Sequence, residues 1–490
     1  MQEKNRESNI DNIDNIDNTS VKSMEAEQIP QAKGKEIPGM FEGSIVKLLI
    51  KLALPIAAGM LFQMIYNVVD AIFISLIDKS DPSYFGATGI VFPIVFLAIA
   101  VSNGLSVGTS SMVARAIGEN NHDVLDKTAE SGMIISAILS IIFLVGTYVF
   151  DDNLISLLGA TGDYAVHGKE YLQYIVPGVV VMFIGNILFG VLQGEGLMKY
   201  MMWGMIIGTV GNIILDPIFI FLLDMKVKGA ALATVIAQLG SVLFVITLFV
   251  RKKTRVPIHW EFKNVSIPVI KEIITVGFPQ ALSMILMSFT FLIYNRVIIS
   301  IDELALTAFA LYGRFEQLLF IPVFAIGSAL VTIVGQNSGR GKLERCEESW
   351  KKSLLIGTGS VVILAGLFVL FSPYLFRSLS DIPEVVDYAV RETQVLAFSM
   401  LFAVLGVYAR SIYQAIGHPL PALLLSLLRL IILGIPAVLL FVYVFGWGVY
   451  GVWFGIVAGN GLAGTVSFLM VTKTFKRIRE GKFVIKSMIT

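Results

Sequence analysis

Apolar residues run along this chain in blocks too long for a water-soluble fold. Twelve stretches are predominantly hydrophobic over about 20 residues or more, the length a helix needs to cross a bilayer core. They cover residues 47–75, 85–113, 128–150, 168–191, 200–223, 229–250, 268–300, 304–333, 351–371, 385–409, 420–443 and 448–472, here called spans 1 to 12. Pro55, Pro93, Pro177, Pro279, Pro322 and Pro436 fall inside them. In lipid such residues are tolerated and mark kinks. The pattern predicts an all-α polytopic membrane protein with twelve transmembrane helices.

The pattern also repeats. Gln193-Gly-Glu-Gly196 before span 5 matches Gln414-Ala-Ile-Gly417 before span 11, at an offset of 221 residues. Ala114-Arg-Ala-Ile-Gly118 and Gly335-Gln-Asn-Ser-Gly339 share the same offset of 221. Val227-Lys-Gly229 and Val449-Tyr-Gly451 are 222 apart, and Pro55 and Pro279 are 224 apart. Four matches at nearly one offset predict two six-helix bundles. Because six is even, both bundles cross the membrane the same way round, related by a pseudo-two-fold axis along the membrane normal. The expected organisation is a tail over 1–40, bundles over 41–250 and 268–475, a linker over 251–267 and a basic tail over 476–490.

Composition agrees and narrows the class. Of 490 residues, 56% are hydrophobic and 15% charged, against about a quarter charged in soluble domains. The net charge of +1 gives no reason to expect nucleic acid as a partner. The single cysteine, Cys346, excludes an internal disulfide and a multi-cysteine metal site. The first residues (NIDNIDNIDN) lack the apolar core of a signal peptide and read as a disordered cytoplasmic tail. Lys and Arg concentrate in the 6–7 and 8–9 loops and after span 12, which puts both termini in the cytoplasm. The expected location is the cell membrane.

Against that apolar background, two aspartates stand out: Asp70 in span 1 and Asp216 in span 5. An intramembrane carboxylate marks a functional site by default. Gln63, Asn67 and Asp70 share one face of span 1. Thr209, Asn212 and Asp216 share one face of span 5, and Thr234, Gln238 and Ser241 one face of span 6. At 1.5 Å per residue, Asp70 lies about 28 Å from the entry of span 1, Asp216 about 25 Å along span 5, and Thr234 about 7 Å in from the opposite end. All three reach a similar depth. Two carboxylates close together in low dielectric need a proton or a cation between them. Sodium suits oxygen ligands, so Asp70, Asn212, Asp216 and Thr234 form a candidate site for Na+ or H+.

The second half lacks this cluster. Aligning Pro279 with Pro55 puts Tyr294 opposite Asp70, and aligning Pro436 with Pro217 puts Ile435 opposite Asp216. It carries Glu316, Arg314 and Arg429 instead, and Glu316 is expected to form a structural ion pair with Arg429 or Arg314. Met60, Gln63, Met64, Tyr66 and Asn67 of span 1, with Met284, Met287, Phe289 and Tyr294 of span 7, are candidates for a substrate cleft between the halves. No catalytic motif and no GxxxxGK[ST] loop is present.

The residues Pro55…Tyr66-Asn67-Val-Val-Asp70, Asn212-Ile-Ile-Leu-Asp216-Pro217 and Gly229-Ala-Ala-Leu-Ala-Thr234 resemble those of the multidrug and toxic compound extrusion (MATE) transporters of the MOP flippase superfamily. The resemblance covers residues 40–475. It implies a V-shaped pair of bundles and rocker-switch antiport of organic cations or amphiphilic drugs against Na+ or H+, with no further cofactor. In bacterial and archaeal members a cation site is attributed to residues matching Asp70, Asn212, Asp216 and Thr234. Span 7 has no acidic residue and span 10 none past Glu392, which puts the chain nearer the DinF/MepA-like branch than the NorM-type one. A monomer in contact with membrane lipid is expected. The alternative within the superfamily is a flippase of lipid-linked precursors.

Overall fold

The computed structural model describes residues 37–78, 80–258 and 263–486. The expected tail over 1–40 therefore lies almost wholly outside the described residues, as do positions 259–262 of the linker and 487–490 of the basic tail.

Twelve helices among the described residues are long and apolar enough to cross a membrane. Spans 1 to 6 are Ile45–Ser75, Ser83–Glu119, His122–Val149, Pro177–Glu195, Met198–Leu222 and Lys226–Val250. Spans 7 to 12 are Ile267–Ile299, Glu303–Gly339, Leu343–Arg377, Pro383–Ala415, Pro419–Val444 and Gly448–Arg479. Several outrun the apolar windows, because a helix continues past the hydrocarbon wherever its polar end residues find partners. Span 2 runs on to a left-handed Asn120 cap, and Asn121 then opens span 3 by accepting from the Val124 N–H at 3.1 Å. Asp302 opens span 8 in the same way, accepting from Leu304 at 2.8 Å. The fourth expected span is two helices, Gly162–Ile175 and Pro177–Glu195. Pro177 starts the second, where its missing N–H costs nothing.

Spans 1–6 and 7–12 form the two bundles, and local geometry fixes their correspondence. Span 5 ends in a π-helical turn, Ile218–Leu222, and span 11 in another, Leu440–Val444. Their offset is 222. Gly229 packs its bare Cα face on the backbone of Phe219, and Gly451 packs on that of Phe441; a methyl there would lie 2.6 and 2.9 Å from the carbonyl carbons. A further π turn, Leu428–Gly434, occurs only in span 11. A π turn accommodates one inserted residue, so the offset is 221 before it and 222 after. Val438, not Ile435, is therefore the counterpart of Asp216. The match of Pro436 to Pro217 misses this extra residue.

Spans 1 and 7 begin, and spans 2, 8 and 12 end, at one face, here called basal. The bundles meet in its half of the molecule. Gly104 of span 2 faces Gly277 of span 7, and Gly108 faces the Ile273 carbonyl, each too close for a side chain. Small residues let helices approach this closely. Ser111 Oγ donates to the Gln414 carbonyl at 2.5 Å, Thr332 Oγ1 to that of Gln193 at 2.6 Å, and Gln336 Nε2 to that of Gly194 at 2.8 Å. Arg115, fully buried, pairs with Glu272 at 2.8 Å. The first turns of span 1 (Ile45, Leu49, Leu52, Ile56) join the apolar core of spans 8, 9 and 10.

Candidate functional site

Spans 1, 2, 4, 5 and 6 enclose a cavity of about 540 Å³ with a mixed polar and apolar lining. That is within the usual range for small-molecule sites. Each helix contributes through its polar stripe. Gln63, Tyr66 and Asn67 come from span 1, Thr209 and Asn212 from span 5, and Thr234 and Gln238 from span 6.

At one end of this cavity the four sequence-selected residues converge. Thr234 Oγ1 accepts from Asn212 Nδ2 at 3.1 Å, lies 3.4 Å from the Tyr66 hydroxyl, and donates to the Ala230 carbonyl at 3.1 Å. Asp216 is fully buried and Asn212 nearly so. Asp70 and Asp216 stand close enough to act on each other, with Asn212 one helical turn before Asp216 on the same face. Yet Asp70 Oδ1, both Asp216 carboxyl oxygens and Asn212 Oδ1 have no protein donor. Ionised carboxylates only accept. This is a cluster of buried acceptor oxygens that no protein donor satisfies, an arrangement that favours uptake of a proton or a cation. The oxygen donor set suits a hard cation such as Na+. Among the described residues no group of three or more His, Cys, Asp or Glu gathers as for a resident metal.

Some cavity residues were not foreseen from sequence. Tyr171, on the helix before Pro177, lines the cavity within electrostatic reach of both aspartates. Asn186 of span 4, bonded to Ser102 at 3.0 Å, also lines it, as do Phe189 and Met205. An asparagine inside the apolar run of span 4 was the available signal.

The expected cleft residues divide. Gln63, Tyr66 and Asn67 line the cavity. Met60 packs against the core of spans 8–10 instead. Met64, Met284 and Met287 are half-buried and Phe289 is exposed; none of them lines this cavity. Tyr294 is buried in an apolar cluster with Val438 and Trp453, so it belongs to the core of the second bundle and not to a cleft. The positions equivalent to the acidic site (Tyr294, Val438 and Ile456) all belong to that cluster, which closes the corresponding space with hydrocarbon.

The expected ion pair of Glu316 needs correction. Among the described residues no arginine nitrogen lies within 4.0 Å of its carboxyl. Arg429 Nε donates to Asn460 Oδ1 at 2.9 Å, and Glu316 accepts from the Tyr312 hydroxyl at 3.4 Å. Arg429 acts on Glu316 only over a longer range. Arg314 is exposed; two residues from Glu316, it projects from the other side of the helix. Glu392 is fully buried, its two carboxyl oxygens lack donors, and it stands within electrostatic reach of Glu316. It lies about 13 Å beyond Pro383 along span 10, well inside the bundle.

Comparison with known proteins follows this geometry. The family model described as MatE matches residues 55–218 and again 279–440, once per bundle. The chain belongs to the MatE family. MatE proteins are transporters, so this is a multi-pass membrane transport protein and not an enzyme. Among relatives, a probable multidrug resistance protein NorM of Thermotoga maritima is 26% identical, covering 84% of this chain and 89% of its own. The multidrug export protein MepA of Staphylococcus aureus is 25% identical, covering 88% and 94%. Among solved structures, an outward-facing multidrug resistance MATE transporter of the MOP superfamily superposes with a TM-score of 0.86 at 28% identity, over 91% of this chain and all of that one. A MOP superfamily transporter of Pyrococcus furiosus, described as having a binding pocket of reversed polarity, gives 0.85 at 29% identity, over 91% of this chain and 99% of that one.

Proposed function

We propose that this protein exports organic cations and amphiphilic drugs in exchange for Na+ or H+, by rocker-switch alternation of its two bundles. One observation carries the coupling: the buried, unpartnered carboxyl and amide oxygens of Asp70, Asp216 and Asn212 gathered at one point, which a small cation or a proton would satisfy. A site of this kind drives transport when its affinity differs between two conformations. Pro55, next to Ile56 at the basal end of the cavity lining, is where span 1 can bend. The cargo reading rests on the multidrug export relatives and on the size and lining of the cavity. The positive-inside distribution of Lys and Arg places the basal face in the cytoplasm. In this orientation the packed basal half holds an outward-facing state.

The test is transport in liposomes, with sodium and proton gradients imposed separately. The expected result is drug efflux driven by one of the two gradients and abolished by Asp70→Asn or Asp216→Asn, with both variants still folded. Undiminished gradient-driven efflux in those variants would falsify the coupling role.

A further inference from the structure

The pseudo-two-fold relation between the bundles points to a second, oppositely charged site. A recess between spans 10, 11 and 12 is lined by Gly406, Arg410, Ser426, Arg429 and Ser467 among others. At the offset of 221, Gly406, Arg410, Ser426 and Arg429 correspond to Gly185, Phe189, Met205 and Gly208. All four of those line the first bundle's cavity. The recess is the second bundle's remnant of the same cavity. Where one copy has phenylalanine and glycine, the other has two guanidinium groups.

Their surroundings balance the positive charge only in part, through Glu316. Arg410 and Arg429 act on each other as like charges. Arg429 bonds to Asn460, and Glu316 reaches it only at longer range. Arg410 has no hydrogen bond or ion pair among the described residues. Ser426 and Ser467 are neutral and donate their hydroxyls to the Ala422 and Ala463 carbonyls, so they do not offset the charge. Two half-buried guanidinium groups lining one recess repel each other, and an anion between them relieves that repulsion. Arg429 stands on the π turn of span 11 that has no partner in span 5. Such turns often redirect a side chain for function.

We propose that this recess binds the oxyanion group of an amphiphile, of the phosphate type that two guanidinium forks fit best. The site is separate from the Asp70–Asp216 pair and does not depend on the coupling role given to that pair. Purified full-length protein in an uncharged detergent is titrated with dodecyl phosphate and, in parallel, with dodecyltrimethylammonium. Saturable binding of dodecyl phosphate is expected, weakened at least tenfold by Arg410→Gln and by Arg429→Gln, and less by Arg410→Lys. Asp216→Asn leaves it unchanged. Gly406→Leu keeps both arginines and has open space for its side chain to enter; it is expected to block the site, which covers the case of an arginine variant that does not fold. Competition by phosphatidylglycerol in phosphatidylcholine nanodiscs assigns a lipid headgroup, and competition by inorganic phosphate assigns a free oxyanion. Equal binding of dodecyl phosphate by wild type, Arg410→Gln and Gly406→Leu overturns the proposal.

Discussion

Thr234 holds the polar end of the first bundle's cavity together, since its one hydroxyl meets Asn212, Tyr66 and the Ala230 carbonyl. Thr234→Ala leaves the Asn212 amide without that acceptor. The expected cost is about 1–3 kcal/mol of stability, read as a lower melting temperature. In the proposed role it also weakens the response to sodium or shifts the pH profile of efflux. Most of this site was legible in the sequence, because Gln63, Asn67 and Asp70 recur at helical spacing against hydrocarbon, as do Thr209, Asn212 and Asp216. Charge without a stripe was harder to place. Glu392 has Tyr388, Ala389, Val395 and Leu396 at helical spacing and no polar stripe, so nothing local tells whether it faces a partner. Arg429 and Glu316 lie at similar depth, but depth does not give azimuth, and Asn460 takes the arginine's Nε.

At the scale of elements, spans are legible because lipid demands long apolar helices, while their ends depend on partners that sequence does not display. The π turns are of that kind. One inserted residue in span 11 shifts the register between the bundles, and no composition signal marks it. The glycines of spans 2 and 7 show how contact distance is set. Gly108→Val would bring its Cβ to 2.1 Å from the Ile273 carbonyl oxygen, which is backbone and cannot rotate away. Spans 2 and 7 must then separate at the basal half, at a cost of about 1–3 kcal/mol. Spin labels at Asp163 and Glu384, exposed at the opposite ends of the two bundles, are expected to report a shorter separation in this variant, as the far face closes while the basal one opens.

For the whole molecule, the proposed alternation between two states depends on the basal seam. Arg115 and Glu272 are its only fully buried ion pair among the described residues, and each comes from a different bundle. Glu272→Gln leaves a buried guanidinium without its counter-charge, a loss of about 3–5 kcal/mol. Double electron–electron resonance on the same label pair is expected to show the closed-basal population falling; an unchanged distribution would mean the glycine contacts and the interbundle hydrogen bonds hold the seam without the ion pair. The repeat made this two-part architecture legible in advance, since matching motifs about 221 residues apart require two similar halves. It did not foretell which residues from each half would meet.

The segment after span 12 takes part in that seam. The ring of Phe483 lies 4.6 Å from that of His418, the Val484 carbonyl bonds to His418, the Lys486 carbonyl accepts from Arg115, and the Lys486 ammonium pairs with Glu272. Anything fused downstream, whether an affinity handle or a fluorescent reporter, pulls on the clasp that would have to undo in the proposed alternation. Kinetics recorded on such a fusion would describe the tether as much as the transporter.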